Sequence, residues 1–195
     1  MKKIFLFIVL SFTISSSFAQ KKKPISKSTS LSVFAKVDNL VAEIKNGIFQ
    51  IRINENGTPK DVIEVKKIES IFTPTNLKFI SFNASGILLY LLTWTESSQT
   101  KTNLKIEDTS VIYSNIYEIG SKKLVFSNKK VLSHIVEKVF LDKLKNASET
   151  QERKHSEGFE FKLNPDGSII QKTKTQENKL VYDVAKMQYL ISKKK

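Results

Sequence analysis

Two histidines and nineteen carboxylate side chains are the groups from which this chain of 195 residues would have to build acid–base or metal chemistry, because it contains no cysteine. That absence removes disulfides, thiolate zinc sites, iron–sulfur clusters and a cysteine nucleophile. His134 and Glu137 stand three residues apart, and on a helix that spacing would turn both to one side and supply half of a metal site. The plainer reading is a polar residue beside an apolar stripe and an ordinary surface carboxylate. Neither histidine belongs to an HExxH pattern or has a third ligand in register. His155 lies in a polar stretch and reads as solvated. Glu107-Asp108 and Asp183 offer carboxylates, but adjacency along the chain does not make an acid/base pair. GxSxG, GxGxxG and P-loop patterns are missing. Tyr113, Tyr117 and Phe126 interleave with Lys122 and Lys123. Stacking on single-stranded nucleic acid uses such a pattern, but so does a half-buried strand that alternates core and solvent faces, which is the reading adopted. The sequence therefore assigns no catalytic residue, cofactor or metal set.

The formal net charge is +13, and its placement matters more than its size. Between Ser28 and Ser192 lie 23 of the 32 basic residues and all 19 acidic ones, so the body carries a surplus of only four. The rest sits at the ends, in Lys2, Lys3, Lys21, Lys22, Lys23, Lys27, Lys193, Lys194 and Lys195. Arg52 and Arg153 are the only arginines, which argues against specific phosphate or base readout. Lys21, Lys22, Lys23, Lys193, Lys194 and Lys195 remain candidate contacts for polyanions, through weak, salt-sensitive attraction.

The first nineteen residues have the layout of a secretory leader: Lys2-Lys3, an apolar run from Ile4 to Leu10, and Ser17-Phe18-Ala19 with small residues at −3 and −1 of a cut between Ala19 and Gln20. The apolar run is short for a membrane anchor. The Lys, Ile, Asn and Phe bias is that of an AT-rich bacterial genome, so export to the periplasm or the outside is expected. Residues 20–30 read as a disordered basic linker, 31–192 as one β-rich domain and 193–195 as a basic tail.

From Leu31 the chain reads as short strands between turn signals. The strands 40–45 and 48–53 flank Asn46-Gly47, which suits a type I′ hairpin turn. Asn54-Glu55-Asn56-Gly57 marks a second turn, and Phe49–Thr58 is echoed by Phe159–Ser168, an alternating strand ending in Asn and then Asn/Asp-Gly. No charge occurs from Phe79 to Thr95, which predicts a hairpin buried on both faces, with Trp94 as a core anchor near its end. Residues 96–103 and 147–158 read as polar loops. From Val131 to Leu144 the apolar spacing changes to threes and fours, which predicts one amphipathic helix over about 128–146, capped by Ser127 or Asn128. Residues 179–184 read as a strand followed by a helical turn or short helix.

The expected fold is mainly β, α+β at the margin: about nine to eleven antiparallel strands in meander order, as a curved sheet or partial barrel, with that single helix. The expected role is an exported, non-enzymatic binding or accessory protein of the cell envelope. Its partner would be an envelope protein or a small apolar ligand, with no specific nucleic acid and no membrane span once the leader is removed. The alternatives are a secreted hydrolase with a carboxylate-based site and a surface protein that adheres to polyanions through its lysine-rich tails.

Overall fold

A computed structural model describes residues 32–68 and 72–192. The leader, the cut at Ala19 and Gln20, the basic linker and the lysines Lys21, Lys22, Lys23, Lys193, Lys194 and Lys195 lie outside the described residues.

Among the described residues thirteen strands form three antiparallel sheets, each in strict meander order. The first contains β1 (Ser32–Val37), β2 (Leu40–Lys45), β3 (Ile48–Glu55) and β4 (Thr58–Lys67). The central sheet contains β5 (Thr75–Ala84), β6 (Ile87–Lys101), β7 (Lys105–Glu118), β8 (Lys123–Phe140) and β9 (Ser148–Gly158). The third contains β10 (Glu160–Leu163), β11 (Ile169–Lys172), β12 (Glu177–Asp183) and β13 (Gln188–Ile191). Each strand finds its partner next along the chain because the turns between them are local. Asn46 and Gly47 both take positive φ, 53° and 75°, the pair that a type I′ turn needs to match the strand twist.

The uncharged hairpin β5–β6 is the middle of the molecule, and alternation along it serves two cores. Phe79, Tyr90, Leu92 and Trp94 face the first sheet and pack with Leu40, Ala42, Phe49, Ile51 and Ile63. Ala84, Leu89 and Leu91 face the third sheet and pack with Ile169, Leu180, Tyr182 and Tyr189. Trp94 stacks on Tyr113 across the β6–β7 pair, with ring centroids 4.7 Å apart, and meets Phe49 edge-on at 5.3 Å. Tyr117 is thus a core residue, and Tyr113 and Phe126 pack half-buried against the two cores.

The expectation of a helix over 128–146 is overturned. The described residues contain no helix, and Lys123–Phe140 is the longest strand. Leu132, Val136 and Phe140 lie on one face of it and Val131, Ile135 and Val139 on the other, so the residues that would have made one helical stripe are shared between two faces. Val131, Ile135, Val136 and Val139 are β-branched and favour the strand. Asn128, expected as an N-cap, instead receives the Gln171 amide and donates to the Phe159 carbonyl, tying β8 to the third sheet. The stretches 96–103 and 147–158, expected as loops, are largely strand, the end of β6 and all of β9. Residues 184–187 turn directly into β13 rather than into a helix. Among the described residues there are three sheets instead of one curved sheet, and no closed barrel.

Outward of Thr95, Ile112 and Lys130, no residue of β6 to β9 is buried. This part of the central sheet is a four-stranded wing, open on both faces. From Lys130 to Phe140 it extends about 30 Å at the usual rise of a strand. Cross-strand pairs hold it in place of a core: Gln99 to Asp108 at 2.7 Å, His134 to Glu152 at 2.7 Å, Ser97 to Ser110 at 3.3 Å, and Arg153 with Glu137.

Candidate functional site

The third sheet covers only the inner part of one face of the central sheet. Where it stops, a cleft opens between it and the wing, with a volume of about 970 Å³. Inward of Lys130, the Gln171–Asn128–Phe159 hydrogen-bond chain, at 2.9 and 3.0 Å, ties β8 to the third sheet. Beyond that chain, β7 contributes Asp108 and Ser110, β8 contributes Lys130, Leu132 and His134, and β9 contributes Lys154 and Ser156. The opposite rim is the end of β11 and the turn into β12, with Lys172, Thr173, Lys174 and Thr175. That turn is fixed by the Thr173 hydroxyl, which accepts the N–H groups of Thr175 at 3.3 Å and Gln176 at 3.0 Å.

Register explains how the wall is built. Asp108 pairs with His134 and His134 with Lys154, so the three occupy one row across β7, β8 and β9 on the face toward the third sheet. Ser110, Leu132 and Ser156 form the next row. Four lysines and two carboxylates line the cleft, Asp108 and Glu160 being the carboxylates. Asp108 accepts from Gln99, and Glu160 is bridged to Lys130 at 3.0 Å. Lys172 lies 3.6 Å from Glu177 and Lys154 lies 3.9 Å from Glu152, both loose and exposed pairs of little energetic weight. Leu132 is the one large apolar side chain of the lining.

The structure separates the residues singled out as a half metal site. In a strand, positions three apart face opposite ways, so His134 turns to Glu152 and Glu137 to Arg153 on the other face. His155 is exposed on β9 and bonds to Glu157 at 2.8 Å. Glu107 pairs with Lys105, and Asp183 accepts from the backbone of Lys186. Among the described residues no group of three His, Cys, Asp or Glu could hold a metal ion. The carboxyls whose ionisation the structure displaces lie outside the cleft. Asp61 is lowered first by its hydrogen bond with Lys122, and Asp166 by the Ser168 hydroxyl. For Glu118, burial pushes the carboxyl up, but hydrogen bonds from Ser121 and the Gly120 N–H outweigh it and leave it below the ordinary value.

A second polar cluster sits in the first sheet. Glu43 is fully buried and receives the Gln50 amide at 3.0 Å and the Arg52 guanidinium at 2.9 Å. All its partners are the chain's own, so it reads as a fixed structural link across β2 and β3.

Asp108, His134 and His155, weighed from the sequence for acid–base or metal chemistry, do line the cleft, but the sequence names none of its lysines or hydroxyls as ligand-binding, because wall and rim meet only through strand register and the turn at 172–175. The signal that was available is the lysine and hydroxyl content of 154–156 and 172–175. The chain matches no known family model, no protein of curated function and no solved structure.

Proposed function

We propose that the protein is an exported, non-enzymatic binding or accessory protein of the cell envelope, and that its ligand is a hydroxylated anion of the acidic oligosaccharide class held in the cleft between the wing and the third sheet. One observation carries this reading: the cleft has a surplus of two positive charges over its carboxylates, on walls that also offer Ser110, Ser156, Thr173 and Thr175 hydroxyls. Lysines pair with acidic groups, while hydroxyls and Asp108 exchange hydrogen bonds with sugar hydroxyls. A lining with a single large apolar side chain argues against the small apolar ligand expected earlier.

Titration calorimetry with a sulfated tetrasaccharide and its uncharged parent tests the proposal. The sulfated probe binds at least about tenfold more tightly, and the Lys154→Gln, Lys174→Gln variant loses that margin. Equal affinity for the two probes, or none for either, overturns the reading.

The hydrolytic alternative has a specific observation in its favour, since Asp108 and Glu160 line the same cleft. Release of reducing ends from the probe, abolished by Asp108→Asn, would establish it. The tail-adhesion alternative rests on lysines outside the described residues.

A further inference from the structure

The end of the wing carries a feature that the cleft does not use. Two turns close it side by side, Thr102–Leu104 between β6 and β7 and Leu141–Ala147 between β8 and β9. The Lys138 N–H on β8 donates to the Leu104 carbonyl at 2.7 Å, which ties the first turn to β8, and the Leu141 N–H donates to the Ala147 carbonyl at 3.0 Å, which closes the second turn. On this tip Leu104 is 46% exposed, Leu141 61% and Leu144 81%. Of the other exposed aliphatics, Leu132 lies on the wing at the cleft and Val184 in the turn before β13, and the rest stand on strands beside a core. Leu104, Leu141 and Leu144 stand at the far end of a wing with no core. Over the rows that close the wing, residues 101–106 and 138–150, Lys101, Lys105, Lys138, Lys143 and Lys145 stand against two acids, Glu149 and Asp142, the latter's side chain capping the Asn146 N–H. Lys138 and Lys145 place their ammonium groups 5.8 and 5.5 Å from the Phe140 ring, at the base of the leucines.

We propose that the wing tip docks on an anionic bilayer surface, with Leu104, Leu141 and Leu144 entering the boundary between headgroups and acyl chains and the surrounding lysines pairing with lipid phosphates. Charge complementarity selects this occupant. Lysine is depleted from protein–protein interfaces, whereas leucines ringed by lysines match the layered polarity of a bilayer surface. The two turns also form a protruding point, which suits insertion better than burial against a flat partner. The tip is remote in register from the cleft, so this proposal stands independently of the ligand assigned there.

The absence of cysteine makes the test direct. An environment-sensitive fluorophore is attached through Leu144→Cys on the full chain, with a Ser98→Cys label halfway along the wing as control. With vesicles of equal parts phosphatidylcholine and phosphatidylglycerol, the label at position 144 shifts to the blue and the one at 98 does not. Pure phosphatidylcholine gives a much smaller response. In a separate sedimentation assay, Leu104→Ser, Leu141→Ser together with the Lys143→Gln, Lys145→Gln pair lowers vesicle binding by at least about tenfold; the leader and lysine tails are the same in both chains and cannot account for the difference. The proposal is overturned if vesicles sediment the labelled chain while position 144 keeps its aqueous spectrum, since another segment then makes the contact. It is equally overturned if position 144 is shielded before lipid is added and light scattering gives a dimer, which makes a second copy the occupant.

Discussion

Tyr189 in β13 donates its hydroxyl to the carbonyl of Gly167 at 2.9 Å, and Gly167 in turn lies against Ala84 at the end of β5. A Cβ built on Gly167 would stand 2.6 Å from the Ala84 Cβ, and its φ of +75° disfavours a side chain in any case. With the Ser85 hydroxyl donated to the Tyr182 carbonyl at 2.9 Å, this contact seats the third sheet on the central hairpin and so sets the rim of the cleft. Tyr189→Phe is expected to cost about 1 kcal/mol in urea unfolding, the usual net loss of one buried hydrogen bond. Gly167→Ala, which must move backbone or Ala84, is expected to cost more, about 2–3 kcal/mol. Equal costs would mean that the close approach is relaxed in solution.

The buried Glu43 gives an asymmetric prediction. Arg52→Ala leaves its carboxylate fully buried with only the Gln50 amide, and is expected to cost about 3 kcal/mol or more. Replacing both partners, Glu43→Leu with Arg52→Leu, removes the desolvation penalty together with the pair and should cost far less than Arg52→Ala alone. A double-mutant cycle by denaturant unfolding measures the difference. Additive costs would contradict the pairing.

Stability should be lost at both pH extremes for opposite reasons. Asp61, Asp166 and Glu118 are held below 3.8, 3.8 and 4.5, so each favours the folded state above those values, and that support disappears as pH falls through the depressed folded pKa. Asp61 also reaches between sheets, because its partner Lys122 lies in the β7–β8 turn and so joins the first sheet to the central one through an exposed pair. All five tyrosines are displaced upward from 10.0, in each case first by burial. A raised folded pKa stabilises below pH 10 and ceases to do so as pH climbs through it. Absorbance titration of phenolate should therefore show delayed ionisation in the native chain and an ordinary midpoint in urea, with Tyr189 the last to ionise. Coincident native and denatured curves would contradict the burial.

The wing should open far more readily than the sheet it grows from, since nothing buries its backbone. Amides of Ile106–Thr109 and Ser133–Val136 are expected to exchange with deuterium faster than those of Leu89–Leu92 and Asn115–Tyr117, although both sets are paired in the same sheet. Uniform protection along β7 would mean that the wing is covered in solution.

How far the sequence reveals this fold varies by element. The β5–β6 hairpin was legible because a run without charge from Phe79 to Thr95 leaves burial on both faces as the economical solution, and Asn46-Gly47 named the turn of the β2–β3 hairpin outright. The wing was not legible. A strand open to water on both faces has no reason to alternate, so Ser148–Gly158 looks like a loop and Val131–Leu144 acquires a chance helical spacing. The β-branched content of the latter was the signal that pointed the other way. The cleft was hidden for a topological reason, since Asp108, His134, Lys154 and Lys174 meet only through the register of three strands and a distant turn.

The central claim is that this cleft, rather than any other surface, receives an acidic ligand. Amide chemical-shift mapping during titration with the sulfated tetrasaccharide tests it most directly. Saturable shifts are expected at Ser110, Lys130, His134, Lys154 and Thr173–Thr175, with the first sheet unmoved. Shifts confined to the first sheet, or scattered over exposed lysines without saturation, would contradict it.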